Sequence, residues 1–94
     1  MSGNEIPEDF AQQVDVAFTN LRNQLADAGA SLDDIVKTTT FIVDLDADRL
    51  SAYSAVRANY LSQENPPAST LIGVSALVFP ELQVEIEAVA VIEE

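Results

Sequence analysis

The sequence predicts an α+β domain, a two-layer sandwich in the order α-β-α-β-β with both helices on one face of a small sheet. Three observations predict it. Apolar residues recur every three or four positions over residues 7–28, a run dense in β-branched residues follows over 36–44, and the last third of the chain holds two stretches of strict alternation.

In the first element, Phe10, Val14, Ala17, Leu21, Leu25 and Ala28 mark one helix face, with Glu8 and Asp9 in the first turn and Gly29 just past the end. Pro7 suits a first-turn position, where a missing N–H costs nothing. Ser31-Leu32-Asp33-Asp34 can cap a single helical turn. A strand is expected from Val36 to Asp44, which is free of glycine and proline. A second helix is expected from Asp48 to Leu61, with Tyr53, Val56 and Tyr60 on its apolar face and Asn65-Pro66-Pro67 after it.

The two final strands alternate clearly. Thr70, Ile72, Val74 and Ala76 share one face, as do Val84, Ile86, Ala88, Ala90 and Ile92, and these positions are expected to meet the helices. The other face then carries Ser69, Leu71, Gly73, Ser75 and Leu77 beside Glu85, Glu87, Val89 and Val91. Because that face would be left bare in a monomer and holds Leu71, Val89 and Val91, it is expected to pack against further copies of the chain.

Composition narrows the function. The chain has 94 residues, 48% of them hydrophobic, which makes one folded domain (1–94) small enough to gain stability from self-association. Sixteen acidic side chains face four basic ones, Arg22, Lys37, Arg49 and Arg57, for a net charge of −12. No basic cluster exists to neutralise phosphates, so nucleic acid and anionic membranes are not expected as partners. The absence of cysteine and histidine excludes disulfides, Cys/His zinc sites, thiol nucleophiles and Ser-His-Asp triads. Any catalysis must use carboxylates, hydroxyls, backbone groups and water. No apolar run is long enough to cross a bilayer and the start has no leader-like character, so a cytoplasmic protein is expected.

The string from Ala28 to Thr39, Phe41 to Leu45, the Pro67-Ala68 pair, Val74 and Val84-Glu85-Ile86-Glu87-Ala88-Val89-Ala90 together resemble the reactive intermediate deaminase (RidA, YjgF-like) family. The match covers nearly the whole chain, with separate motifs in the right order. The resemblance implies a chorismate-mutase-like fold, a homotrimer with its sheets turned inward, and a small-ligand cleft at each subunit interface. It also implies hydrolysis of enamines and imines, such as 2-iminobutanoate and 2-iminopropanoate, to 2-keto acids and ammonia without a metal or organic cofactor.

Carried over residue by residue, the family's water-positioning glutamate matches Glu85, expected on the same sheet face as Ser69 and Leu71 and able to act as general acid or base. Glu87 is read as solvated or interface-paired. Ser69 and Gly3 line the expected pocket with Leu71, whose backbone amide corresponds to one that contacts substrate. Active members carry an arginine immediately after the Pro-Ala pair, and this chain has Ser69. Exchanging a guanidinium fork for a hydroxyl forfeits roughly 2–5 kcal/mol if the ion pair is desolvated. Arg57 or Lys37 of a neighbouring subunit is the candidate replacement. Typical members also open with a hairpin ahead of a Ser-Gly pair, which Ser2-Gly3 matches. The expectation is a shortened subunit lacking one or two strands and part of the cleft wall, as a natural short form, a mis-assigned start or a truncated gene.

Three readings follow: a deaminase-like trimer of weak or altered activity, a non-catalytic metabolite-binding or assembly protein of the same fold, and, less favoured by charge, an endoribonuclease. Tyr53 and Tyr60 are read as packing residues, and Asp44, Asp46 and Asp48 as helix-start acids rather than a calcium loop.

Overall fold

A computed structural model describes residues 6–92. Helix α1 (Phe10–Asp27) is followed by a single 3₁₀ turn (Leu32–Asp34), strand β1 (Ile35–Val43), helix α2 (Ala47–Arg57), β2 (Ala68–Val74) and β3 (Val84–Ala90). The element order is the expected one, and the architecture is the α+β sandwich read from the sequence.

The start of α1 differs in detail. Asp9 is the N-cap, its carboxylate accepting from the Gln12 amide at 3.0 Å, so Pro7 lies outside the helix. The far end closes as a Schellman motif. Gly29 takes φ +82°, its amide bonds the Ala26 carbonyl at 3.0 Å, and the Ala30 amide bonds that of Leu25 at 2.8 Å. Ser31 and Asp34 then brace the 3₁₀ turn through a 2.9 Å bond from the Ser31 amide to the Asp34 carboxylate. Asp46 caps α2 by accepting from the Arg49 amide at 2.8 Å. This helix ends at Arg57 rather than Leu61, because the chain tightens there: the amides of Tyr60 and Leu61 both bond the Arg57 carbonyl at 3.0 Å.

The sheet has the order β2-β1-β3, with β1 parallel to β2 and antiparallel to β3. Both C-terminal strands are therefore edges, on opposite sides of β1. A bulge sets Val36 and Lys37 together opposite the β3 end, which keeps Ile35 on the helix side beside Ala90 while Lys37 faces away.

Residues opposite each other in a sheet share a face, so register decides which side chains meet. Thr38 is paired with Ser69 and Ala88, Thr40 with Leu71 and Ile86, and Ile42 with Gly73 and Val84; this is the helix side. The far side carries Ile72, Phe41 and Glu85 in one row and Thr70, Thr39 and Glu87 in the next. The expectation for β3 holds, and that for β2 is reversed. Ser69, Leu71 and Gly73 face the helices, whereas Thr70, Ile72 and Val74 face away.

The reversal has a physical cause. Thr38 and Thr40 are fully buried on the core face of β1, and each buried hydroxyl needs a partner. Thr40 shares a 2.8 Å hydrogen bond with the Tyr53 hydroxyl, and Thr38 donates to Ser69 at 3.1 Å. Gly73 falls where Leu45 crosses the strand, so that a Cβ there would lie 3.3 Å from the Leu45 Cβ.

The core gathers Val14, Phe18, Ile35, Ile42, Tyr53, Leu61 and Val84 between the layers. Phe18, absent from the helix face drawn from the sequence, is completely buried and stacks on both tyrosines, at centroid distances of 6.0 Å to Tyr53 and 5.1 Å to Tyr60. Tyr60 also bonds Asp15 and Thr19. Both tyrosines thus serve as packing groups, as expected.

Candidate functional site

The conformation of β2 and its neighbour α2 places the first candidate group. Ser69 lies near the start of an edge strand, just after Pro67, and its hydroxyl sits among three partners. It accepts from Thr38 Oγ1 at 3.1 Å and from Arg57 Nη2 at 2.9 Å, and it approaches the Pro67 carbonyl at 3.3 Å. A serine hydroxyl has one proton to donate and two lone pairs, so all of its capacity is engaged. Leu71, next on the same face, packs its side chain against the core, and its backbone belongs to the open-edged strand.

Arg57 is a neighbour of Ser69 that the sequence did not place in the same chain. It was expected, if at all, from another subunit; instead the last residue of α2 reaches the Ser69 hydroxyl of its own chain. The signal was available in the periodicity of α2 only once the register of β2 was known. Lys37, the other candidate cation, points to the far side of the sheet with Val89.

Glu85 is exposed on the far side, opposite Phe41. It therefore does not share a face with Ser69 and Leu71, and the expected common cleft within one chain is corrected. The two positions are separated by two strand spacings and three residues along the strand, roughly 14 Å in the plane of the sheet, with the sheet between their side chains. What Glu85 does line is a groove of about 410 Å³ between α1 and the β3 edge, walled by Gln13, Leu21, Phe79, Leu82 and Ile86. A second hollow of about 530 Å³ continues along β3 past Lys37, Thr39, Glu87 and Val89. Gly3 lies outside the described residues.

Backbone polarity runs along this groove. The Val43 amide bonds the Gln83 carbonyl at 2.9 Å, which makes that pair hydrogen-bonded across the ladder. Alternation then turns the amides of Glu85, Glu87 and Val89 toward β1 and those of Ile86 and Ala88 toward the open edge.

The mouth of the groove is held by a polar clamp that no local pattern announced. Gln13, buried on α1, donates from Nε2 to the carbonyls of Pro7 at 2.7 Å and Glu81 at 2.8 Å, and its Oε1 accepts from the Gln83 amide at 2.8 Å. Gln83 in turn accepts from Arg49 at 2.7 Å and donates to the Glu8 carbonyl at 2.8 Å. Arg49 also bonds the Val43 carbonyl and lies 4.8 Å from the centre of the Phe10 ring. This cation is committed to structure.

Asp46, as cap, and Asp48, in the first turn of α2, act as helix-start acids, while Asp44 takes the left-handed conformation at φ 52° in the turn after β1. Among the described residues no helix is long and apolar enough to cross a membrane.

Comparison with known proteins agrees with this architecture. Over 89 residues the chain is 33% identical to the 2-iminobutanoate/2-iminopropanoate deaminase of Escherichia coli, a match covering 93% of this chain and 67% of that protein. It is 36% identical over 80 residues to the RutC family protein YjgH of the same organism, covering 85% of this chain and 60% of the relative. In structure it superposes on the Rid-family protein YyfB of Yersinia pestis with a TM-score of 0.87 at 34% identity, covering 98% of this chain and 71% of that one. RidA from an Antarctic Psychrobacter gives a TM-score of 0.83 at 31% identity, covering 94% and 68%. The chain spans about two thirds of the length of these relatives. The family model described as endoribonuclease L-PSP matches residues 1–92. On the fold, the motifs and these matches together, the chain belongs to the endoribonuclease L-PSP family, the group of the RidA and YjgF-like proteins.

Proposed function

We propose that this chain works as a homotrimer that binds small 2-imino acids in clefts between subunits and hydrolyses them to 2-keto acids and ammonia. The observation that carries the reading is the division of its candidate groups. Ser69 and Leu71 stand on the helix side of one sheet edge and Glu85 on the far side of the other, so one chain keeps them apart and a shared site in this reading needs a second copy. The far face supports such a meeting: Ile72 is 40% exposed and Val89 55%, and nothing among the described residues covers them. The deaminase named in Escherichia coli supplies the substrate class.

In this reading water adds across the C=N bond at the carbon bearing the carboxylate. Glu85 accepts a proton from the attacking water and returns it to the nitrogen to give a carbinolamine; it then passes the carbinolamine hydroxyl proton to the nitrogen as the C–N bond breaks, releasing ammonia and the 2-keto acid. No cofactor enters these steps. The test is hydrolysis of 2-iminopropanoate generated in place by an amino-acid oxidase. Wild type is expected to accelerate it and Glu85→Gln to lose the acceleration; equal rates with and without wild-type protein would reject the catalytic reading.

A second reading, a metabolite-binding protein of the same fold without catalysis, draws on the saturated Ser69 hydroxyl, which has no donor left for a substrate. Retained binding of a 2-keto acid without imine hydrolysis would favour it.

A further inference from the structure

A small 2-imino or 2-keto acid carries a carboxylate, and Ser69 offers it nothing, because its proton and both lone pairs are already engaged. The basic side chains differ sharply in how they are used. Arg49 is held by the Val43 carbonyl, the Gln83 side chain and the Phe10 ring. Arg22 lies over the Tyr60 ring, and Lys37 points to the far face. Among the described residues Arg57 donates once, to Ser69, and like the other three basic side chains it makes no ion pair with a carboxylate.

We infer that Arg57 is a carboxylate-recognition residue on the surface beside β2, with Ser69 as the positioning residue that aims its guanidinium. The fork is carried by the last residue of α2. One Nη–H is spent on the Ser69 hydroxyl, which is itself fixed by Thr38, and the remaining N–H groups stay available for a bidentate contact with a carboxylate. The backbone beneath the fork is fixed as well, since the Arg57 carbonyl accepts the amides of Tyr60 and Leu61. Arg57 is half-buried, which limits the ordering its stem still has to undergo on binding. The ligand class is a small mono-carboxylic acid, and a neutral ketone of the same size lacks the group the fork reads. The choice of a 2-keto or 2-imino acid within that class rests on the proposed function above.

The experiment is a titration of the assembled, ¹⁵N-labelled protein with 2-oxobutanoate, and separately with butan-2-one, followed at the Arg57 side-chain Nε–H and the Ser69 amide. Saturable shifts are expected with the acid and none with the ketone. Arg57→Ala is expected to weaken binding of the acid at least about tenfold, and Arg57→Lys, which keeps the charge but loses the fork, to fall between. Lys37→Ala is expected to bind as wild type. Ser69→Ala is expected to move the Arg57 Nε–H resonance and weaken binding several-fold, with Ser69→Thr restoring both, which loss of packing alone would not do. Equal affinity in wild type and Arg57→Ala, or no binding of the acid to wild type, would overturn the inference. Imine hydrolysis, assayed in parallel, separates the two claims. Arg57-dependent binding without hydrolysis keeps this inference and rejects the deaminase reading, and hydrolysis indifferent to Arg57→Ala does the reverse.

Discussion

Replacing Gln13 by leucine removes one side chain and strands three backbone groups. The substitution keeps nearly the same volume, so packing changes little. What it deletes are the bonds to the Pro7 carbonyl at 2.7 Å, the Glu81 carbonyl at 2.8 Å and the Gln83 amide at 2.8 Å. Each bond contributes about 1 kcal/mol net, and groups left without a partner in a partly buried place cost at least as much. Against this stands about 1 kcal/mol gained by burying methyl groups where an amide was. The balance is a loss of about 2 kcal/mol, which for a domain of this size lowers Tm by roughly 10 °C. The assay is thermal and urea unfolding of wild type and Gln13→Leu at one protein concentration, since self-association would make stability concentration-dependent. Gln13→Glu should lose more, because a carboxylate oxygen would face two carbonyls in place of the Nε2 donor. A Gln13→Leu protein within about 0.5 kcal/mol of wild type would refute the clamp as a stabilising device, leaving these bonds equivalent to bonds with water.

Tyr53→Phe leaves the buried Thr40 hydroxyl without its 2.8 Å partner and is expected to destabilise by about 1–2 kcal/mol in urea unfolding, with Thr40→Val in the same chain recovering part of the loss. Hydrogen exchange provides an independent check on the sheet register. The amides of Glu85, Glu87 and Val89 should be protected, while those of Ile86 and Ala88 should exchange rapidly unless a further strand or another subunit covers the β3 edge.

How much was legible in the sequence varies by element, for physical reasons. The glycine stop of α1, the 3₁₀ turn at Leu32–Asp34 and the inward face of β3 are local properties: a φ requirement, a side chain three residues from its amide, a strict alternation. The β2 face was not legible, because Leu71 in one phase and Ile72 with Val74 in the other give both phases an apolar set. The choice was made by two buried threonines on a different strand, one of which needed Ser69 as a partner. A one-residue change of phase moves every side chain to the other face, so the same ambiguity moved Ser69 away from Glu85. Gln13 was illegible for a similar reason: its partners Glu81 and Gln83 lie about seventy residues away in the chain. Ridges of α1 wider than the drawn stripe brought Phe18 into the core beside the two tyrosines.

The family's site residues transfer unevenly. Glu85 stands on an exposed strand face beside a groove, in keeping with a group that meets water. Ser69 follows the Pro-Ala pair but lies on the helix side rather than on the face of Glu85, and its hydroxyl accepts from Arg57. The proposed chemistry therefore depends on contact between copies, since one chain holds Glu85 and Arg57 on opposite faces of the sheet.

Sedimentation equilibrium over a range of protein concentrations tests that dependence most directly. A mass of three 10.1 kDa chains is expected for the wild type, falling to that of one chain when Ile72→Lys puts a charge on the far face. A wild-type mass of 10.1 kDa at every concentration would contradict it, because Glu85 and Arg57 would then never meet.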